Sequence, residues 1–168
     1  MRMSEGVEWA IHSCTMLAFV PDDQALPAGK LAEFHGVPPA YLAKHLQALV
    51  RAGICSSVPG PRGGFRLARP AEEITLLDIT LAVDGEGTAF RCSEIRQRGP
   101  ASQDDPSCYR DTCSIALAMW RAEDAWRAEL RRVTLAEIGG NLASVVDPRQ
   151  LTESAVWLDQ TLNRGAST

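Results

Sequence analysis

The order of elements between residues 27 and 68 constrains the fold more than any other feature of this sequence. Two short helical patterns, at about residues 27–34 and 39–52, are joined through His35-Gly36-Val37. A proline pair suits the first turn of the second helix, and a glycine suits its C-terminal cap. The pattern then becomes extended, and two short runs around a glycine-rich tip at residues 59–64 predict a β-hairpin. The sequence therefore predicts a helix-turn-helix followed directly by a hairpin.

Helical periodicity on both sides of this segment extends the predicted architecture. A first helix spans about residues 4–19, another spans 75–83, and a long one spans 114–133. Apolar side chains on the long helix recur at spacings of three and four, close to the heptad pattern of helices that pair with a second copy. They are Ile115, Met119, Ala122, Trp126, Leu130 and Val133. The tail predicts two short helices, at about 134–144 and 151–162.

Together these elements predict a mainly α fold with a small β-hairpin. We expect a winged helix-turn-helix DNA-binding domain and a long C-terminal dimerisation helix. The expected boundaries are 1–84 for the DNA-binding domain, 85–113 for a cysteine-bearing loop, 114–146 for the dimerisation helix region and 147–168 for a C-terminal tail.

Charge and hydropathy set limits on the partners. Residues 1–70 carry seven Lys and Arg against five Asp and Glu, whereas the rest of the chain carries ten against sixteen. A mildly basic front on an acidic body is compatible with DNA contact at one end. No apolar run approaches the roughly 18 residues of a membrane span. Because the chain starts at Met1 without an apolar signal segment, we expect a cytoplasmic protein without disulfides or membrane partners.

The second helix of the helix-turn-helix carries the candidate DNA contacts. Its outer side offers two cations for phosphates and three side chains that can reach base edges, although the same set would also suit a solvated helix face. An arginine at the hairpin tip suits a narrow minor groove. The candidates are Tyr41, Lys44, His45, Gln47, Arg51 and Arg62.

Three of the five cysteines fall in one polar, proline-containing loop. Cys92, Cys108 and Cys113 are therefore candidates for metal or cluster ligation, for a thiol sensor, or for no function. Cys14 lies on the inner face of the first helix and Cys55 starts the first strand, so we expect both to be packing residues.

Three segments resemble the Rrf2 family of bacterial winged-helix regulators. They are residues 41–53, the run Gly63-Gly64-Phe65-Arg66-Leu67-Ala68-Arg69-Pro70, and the run Glu73-Ile74-Thr75-Leu76-Leu77-Asp78-Ile79. The chain departs from the family at Pro38, where a serine is common. The resemblance implies a homodimer joined by a long C-terminal helix, and a loop before that helix in which many members hold an iron–sulfur cluster.

The first helix offers further candidate ligands, because Glu8 and His12 are four residues apart and share one helical face. Residues 5–12 and 92–100 resemble the RsrR subgroup of the family. In that subgroup a [2Fe–2S] cluster is ligated by a Glu and a His from one subunit and two cysteines from the other. The resemblance thus implies Glu8 and His12 with the partner subunit's Cys108 and Cys113, while Cys92 is a reserve candidate.

We accordingly expect a homodimeric transcriptional repressor, not an enzyme, that binds a double-stranded DNA operator and senses redox state. Trp9, next to Glu8, is the candidate relay between the cluster and the DNA-binding head. One alternative is a nitric-oxide sensor with a [4Fe–4S] cluster on Cys92, Cys108, Cys113 and Glu8. Another is a redox-silent zinc protein, since two Cys with one His and one Glu also form a tetrahedral set.

Overall fold

The computed structural model describes residues 3–164. Within that range the chain forms eight α-helices and one two-stranded antiparallel sheet. The helices are α1 (Glu5–Leu17), α2 (Ala28–His35), α3 (Pro39–Arg51), α4 (Leu76–Asp84), α5 (Ser114–Arg132), α6 (Leu135–Gly140), α7 (Leu142–Val145) and α8 (Pro148–Arg164). The strands are β1 (Cys55–Val58) and β2 (Gly64–Leu67). The predicted mainly α architecture with a small hairpin is confirmed.

The described chain divides into two compact units. Gly87–Glu129 forms the cysteine-loop unit, and the rest of the described chain forms the winged-helix unit. The winged-helix unit therefore contains α1 to α4, the hairpin and the segment from residue 130 onward. Among the described residues, no helix has the length and apolar character needed to cross a membrane.

The core of the winged-helix unit is built around the inner face of α3. Leu42, Leu46 and Leu49 are fully buried, as their spacing of four and three residues predicts. Complete burial of each leucine side chain stabilises the fold by about 1.5–3 kcal/mol. Cys14 and Cys55 are also buried, which confirms that they are packing residues. A hydrogen bond to Cys55 and burial raise the pKa of the Cys14 thiol well above its ordinary value.

The hairpin is fixed to the helices through β2. Phe65 pairs with Ser57 in the sheet and also exchanges two backbone hydrogen bonds of 2.9 Å with Leu26, ahead of α2. A Cβ added at Gly64 would lie 2.4 Å from the Leu26 backbone, and one at Gly63 would lie 2.1 Å from the Val58 carbonyl oxygen. The fold itself therefore requires these two glycines.

The helices after α5 differ in detail from the sequence prediction. The single helix predicted at 134–144 is broken at Asn141 into α6 and α7, directly after two glycines that have low helix propensity. The last helix starts at Pro148, three residues earlier than predicted. Asp147 caps that start, because its carboxylate accepts a hydrogen bond of 2.8 Å from the backbone N–H of Arg149.

Candidate functional site

The outer side of α3 and the tip of the hairpin are open to solvent. Tyr41 is 62% exposed, and Lys44, Gln47, Arg51 and Arg62 are also exposed. These five side chains stand where a DNA backbone and base edges could reach them. Their individual contacts with DNA stay predictions.

His45 differs from the other candidates on α3, because its ring packs against α1. A Cβ on Gly6 would fall 2.3 Å from its Cε1, and the Trp9 ring meets the imidazole edge-to-face at 6.1 Å between centroids. Burial lowers the pKa of His45, and the charge of Lys44 lowers it further. The sequence alone did not reveal this contact, because it does not show that α1 crosses α3 at a glycine.

Glu8 and His12 are both exposed and both line one cavity of about 640 Å³ in the winged-helix unit. Their shared helical face, predicted from the spacing of four, thus points two metal-ligating groups into one space. Trp9, Phe34 and Val37 supply apolar parts of the wall.

His35 at the end of α2 lines the same cavity, although the sequence analysis treated it only as a helix terminus. The centroids of the His12 and His35 rings are 5.8 Å apart. Burial lowers the pKa of His35, and the nearby His12 lowers it further. Its Nε2 atom is covered and has no hydrogen-bond partner among the described residues. The proximity of the two rings comes from helix packing, which no local sequence signal reveals.

The C-terminal helix α8 completes this cavity. Gln150, Glu153, Ser154 and Trp157 line it, and the Trp157 ring lies 4.7 Å from that of Phe34 between centroids. The tail thus contributes one wall of the space into which Glu8 and His12 project. Sequence analysis assigned no role to this helix.

In the cysteine-loop unit, Cys92 and Cys108 are exposed and Cys113 is half-buried. Cys108 lies in a short 3-10 turn that Asp105 caps through the backbone N–H of Ser107 at 2.9 Å. The carbonyl oxygen of Cys113 accepts the first hydrogen bond of α5, from the N–H of Leu117 at 3.0 Å. Cys113 therefore stands at the N-terminus of a 19-residue helix, where the helix dipole is positive.

Arg96 ties the two halves of the cysteine loop together. Its guanidinium pairs with the Glu94 carboxylate, donates to the Asp111 carbonyl oxygen at 2.8 Å and lies 5.8 Å from the centre of the Tyr109 ring. The hydrogen bond to Glu94 raises the pKa of Arg96. Sequence analysis missed this residue, because a single arginine in a polar loop has no distinguishing pattern.

Glu123 fixes the start of the same loop onto α5. Its carboxylate is buried, pairs with Arg127 at 2.8 Å and accepts a hydrogen bond of 3.0 Å from the backbone N–H of Ala89. The bond from Arg127 lowers the pKa of Glu123, against the opposing effect of burial. Glu123 also lines a cavity of about 830 Å³ that Cys92 and Trp120 share.

Each of the two units contains two of the four predicted ligands. Glu8 and His12 belong to the winged-helix unit, and Cys108 and Cys113 belong to the cysteine-loop unit. Within residues 3–164, no group of three or more His, Cys, Asp or Glu side chains is arranged to hold a metal ion.

A family model described as "Rrf2: Iron-dependent Transcriptional regulator" matches residues 3–141. The chain belongs to the Rrf2 family. Proteins of this family bind DNA and are typically dimeric, and the relatives are transcriptional regulators, not enzymes. The prediction of the family from the sequence is therefore confirmed.

Individual relatives match nearly the whole length of this Rrf2-family chain. The regulator YwgB of Bacillus subtilis is 28% identical over 91% of this chain and 94% of its own length. IscR of Escherichia coli O1:K1 / APEC is 27% identical over 92% of this chain and 91% of its own. The structure of CymR, the global cysteine regulator of B. subtilis, has a TM-score of 0.63 at 20% identity and covers 83% of this chain and 97% of that one. That likeness shows the shared fold.

Proposed function

We propose that this Rrf2-family regulator is a homodimeric repressor that senses redox state through a [2Fe–2S] cluster. The proposed ligands are Glu8 and His12 of one subunit with the partner subunit's Cys108 and Cys113. The observation that carries the proposal is the pair of half-sites. Two donors project into one open cavity, and an exposed and a half-buried thiol stand on one loop that Arg96 holds together. The iron dependence named for the family agrees with this assignment.

The donor set fits such a cluster chemically. Thiolates hold iron–sulfur clusters, and imidazole or carboxylate groups can replace some of them with a change in reduction potential. The helix terminus at Cys113 and the guanidinium of Arg96 both offset the negative charge of thiolate ligands. When bound, the cluster would supply a one-electron change that leaves the protein chain intact.

The chain's own residues provide a short route from the ligands to the DNA-binding helix. Trp9 follows Glu8 directly on α1 and contacts His45 on α3. Because Gly6 leaves no space at the same crossing, a shift of α1 would displace His45. We infer that Trp9 and His45 relay movement of the ligands to α3.

The DNA-facing part of the proposal rests on α3 and the hairpin tip. Lys44 and Arg51 would contact phosphates of a double-stranded operator, Arg62 would enter the minor groove, and Tyr41 and Gln47 would reach base edges. Each is exposed, as such contacts require. We expect the protein to act in the cytoplasm, where the operator DNA is.

Anaerobic purification with visible absorption, iron and sulfide analysis tests the cofactor. Two irons and two sulfides per subunit in a coloured protein would support the proposal. A colourless zinc protein would contradict it, and so would four irons per subunit that persist in Glu8→Ala and His12→Ala variants. Glu5→Ala, which removes another exposed carboxylate of α1, is the matched control and should keep the cluster.

Operator binding by oxidised and reduced protein tests the sensing step. We expect affinity to differ between the two states in the wild type, and the difference to disappear in a His12→Ala variant that still dimerises. Equal affinity of the wild-type protein in both states would overturn the redox-sensing function.

A further inference from the structure

A second cavity, of about 560 Å³, lies in the winged-helix unit and shares only His12 with the proposed cluster ligands. Its main walls are one face of α1, extended to Phe19, and one face of α8, and the end of α2 and the start of α7 complete the lining. The α8 side chains recur at spacings of three and four, so a single helical stripe faces the space. The volume falls in the range of about 300–1,000 Å³ that small-molecule sites occupy.

The lining is predominantly apolar. Met16 and Phe19 lie on one side, and Leu151, Leu158 and Leu162 lie on the other. Phe19 is 54% exposed although it is a large aromatic side chain. The helices therefore leave apolar surface in contact with solvent, and an apolar molecule would remove that surface from water.

Carboxylates stand around the cavity without a lysine or arginine in the described lining to balance them. Asp159 lines it, and the adjoining cavity that shares His12, His35 and Phe34 is lined by Glu8 and Glu153. No lysine or arginine lines either cavity among the described residues. The site would therefore attract a positive charge and repel a carboxylate or phosphate. Aromatic rings in the shared wall also suit a cation.

We propose that this cavity binds an organic cation, a ring-containing amine whose apolar body lies between α1 and α8. The ammonium group would lie toward the carboxylates. The inference goes beyond the redox function and requires no cluster. Because His12 lines both cavities, a bound amine would contact the helix that carries the proposed ligands, and it could modulate the same DNA-binding head.

Calorimetric titration with three molecules of one carbon skeleton tests the chemistry. The probes are 1-naphthylmethylamine, 1-naphthylmethanol and 1-naphthoate, at pH 7 with the full-length protein. We expect saturable binding of one amine per subunit, at least about tenfold tighter than the carboxylate, with the neutral alcohol between them. Equal affinity for amine and carboxylate, or no binding of the amine, would overturn the proposal.

Two variants locate the site. Ala155→Phe fills the cavity and should abolish amine binding, whereas Val156→Phe adds the same ring at an exposed position of α8 outside the lining and should not. Asp159→Asn is a second test that does not depend on whether Ala155→Phe folds. It should reduce the ratio of amine affinity to alcohol affinity several-fold. Unchanged binding in both Ala155→Phe and Asp159→Asn would place the amine elsewhere and contradict the proposal.

A cluster-free variant separates this inference from the redox function. Cys108→Ser with Cys113→Ser removes the proposed thiolate ligands and leaves both cavities intact, so amine binding should persist. Loss of amine binding in that variant would show that the site depends on the cluster, contrary to the proposal. If the cluster experiments fail but the amine still binds, the redox function is wrong and the amine site is retained.

Discussion

Gly6 and His45 are in close contact between α1, the helix of the proposed ligands, and α3, the proposed DNA-binding helix. The imidazole occupies the space that any larger side chain on α1 would need, and Trp9 holds it from the side. A histidine at this point of α3 would ordinarily be assigned to DNA. We propose that this packing lets His45 act as a relay between the two helices, while its contact with DNA stays a prediction.

A Gly6→Ala substitution tests this contact. The new methyl group would displace the ring, since rings move more easily than helices, and the overpacking cost of about 1–3 kcal/mol would be partly offset by about 1 kcal/mol of helix propensity. We expect a net loss of about 1 kcal/mol in urea unfolding and a smaller difference in operator affinity between redox states. Gly29→Ala on α2, where nothing lies within 4 Å, is the control and should be neutral or slightly stabilising. Unchanged redox dependence in Gly6→Ala would exclude His45 from the relay.

Arg96 is the second residue whose role can be isolated. Its contacts with Glu94, Asp111 and Tyr109 hold the segment after Cys92 against the segment before Cys113. An Arg96→Ala variant should lose iron several-fold faster to a chelator, measured by the decay of visible absorption. Arg98→Ala, which removes one longer hydrogen bond of 3.4 Å, should behave like the wild type. If visible absorption decays at the same rate in both variants, the contacts of Arg96 do not help to hold the cluster.

Among the helices, α3 is the one that we propose contacts DNA, through its exposed cations Lys44 and Arg51. Lys44→Ala should weaken binding to specific and unrelated DNA alike and reduce the slope of log affinity against log salt by about 1, as the loss of one phosphate contact predicts. Lys30→Ala on α2, whose ammonium pairs with Glu33 at 2.7 Å, is the matched control. A salt slope that changes equally in both variants would argue against a specific phosphate contact at Lys44.

Helix α5 anchors the cysteine loop through Glu123, and this anchor should depend on pH. Because the native pKa of Glu123 is lowered, its contribution is present above the ordinary glutamate pKa of about 4.3 and is lost as pH falls through the lowered native value. A Glu123→Gln variant should therefore melt below the wild type at pH 7, and the gap should shrink toward pH 3. Asp124→Asn, at an exposed neighbouring position, should show no such convergence. If the difference in melting temperature between the wild type and Glu123→Gln stays constant with pH, the loss of stability comes from packing and not from the charge of Glu123.

The elements were predictable to different degrees. The helix-turn-helix and hairpin followed from local signals, such as the leucine spacing of α3 and the glycines of the turn. The sequence did not predict the break at Asn141, because it depends on the weak helix propensity of the two preceding glycines. It did not predict the start of α8 at Pro148 either, because that start depends on a single cap from Asp147. The sequence did not show that Gly63 and Gly64 allow the hairpin to close and dock, because this depends on the nearby backbone of Val58 and Leu26.

At the scale of the whole molecule, the sequence predicted less of the site than of the fold. The spacing of Glu8 and His12 correctly placed both on one face, since that spacing is a local property of a helix. The contributions of His35 and α8 depend on packing between distant segments, so no periodicity could reveal them.

Exposed apolar surface on α5 is the molecular feature that supports a dimer. Ile115 and Met119 of the predicted heptad pattern are exposed, as are Leu117 and Trp120 beside them. Rrf2-family regulators are typically dimeric, and a second copy would cover this surface. A dimer is also what allows the four proposed ligands to come from two chains.

Subunit mixing tests whether one cluster takes its ligands from two subunits. One variant carries Glu8→Ala with His12→Ala, the other carries Cys108→Ser with Cys113→Ser, and each alone should lack the cluster. In a mixed dimer isolated through two different affinity tags, one site would lose all four ligands and the other would keep all four. We expect mixed dimers to regain about half of the wild-type iron and of the wild-type visible absorption. Mixed dimers that remain free of iron would contradict a cluster shared between subunits.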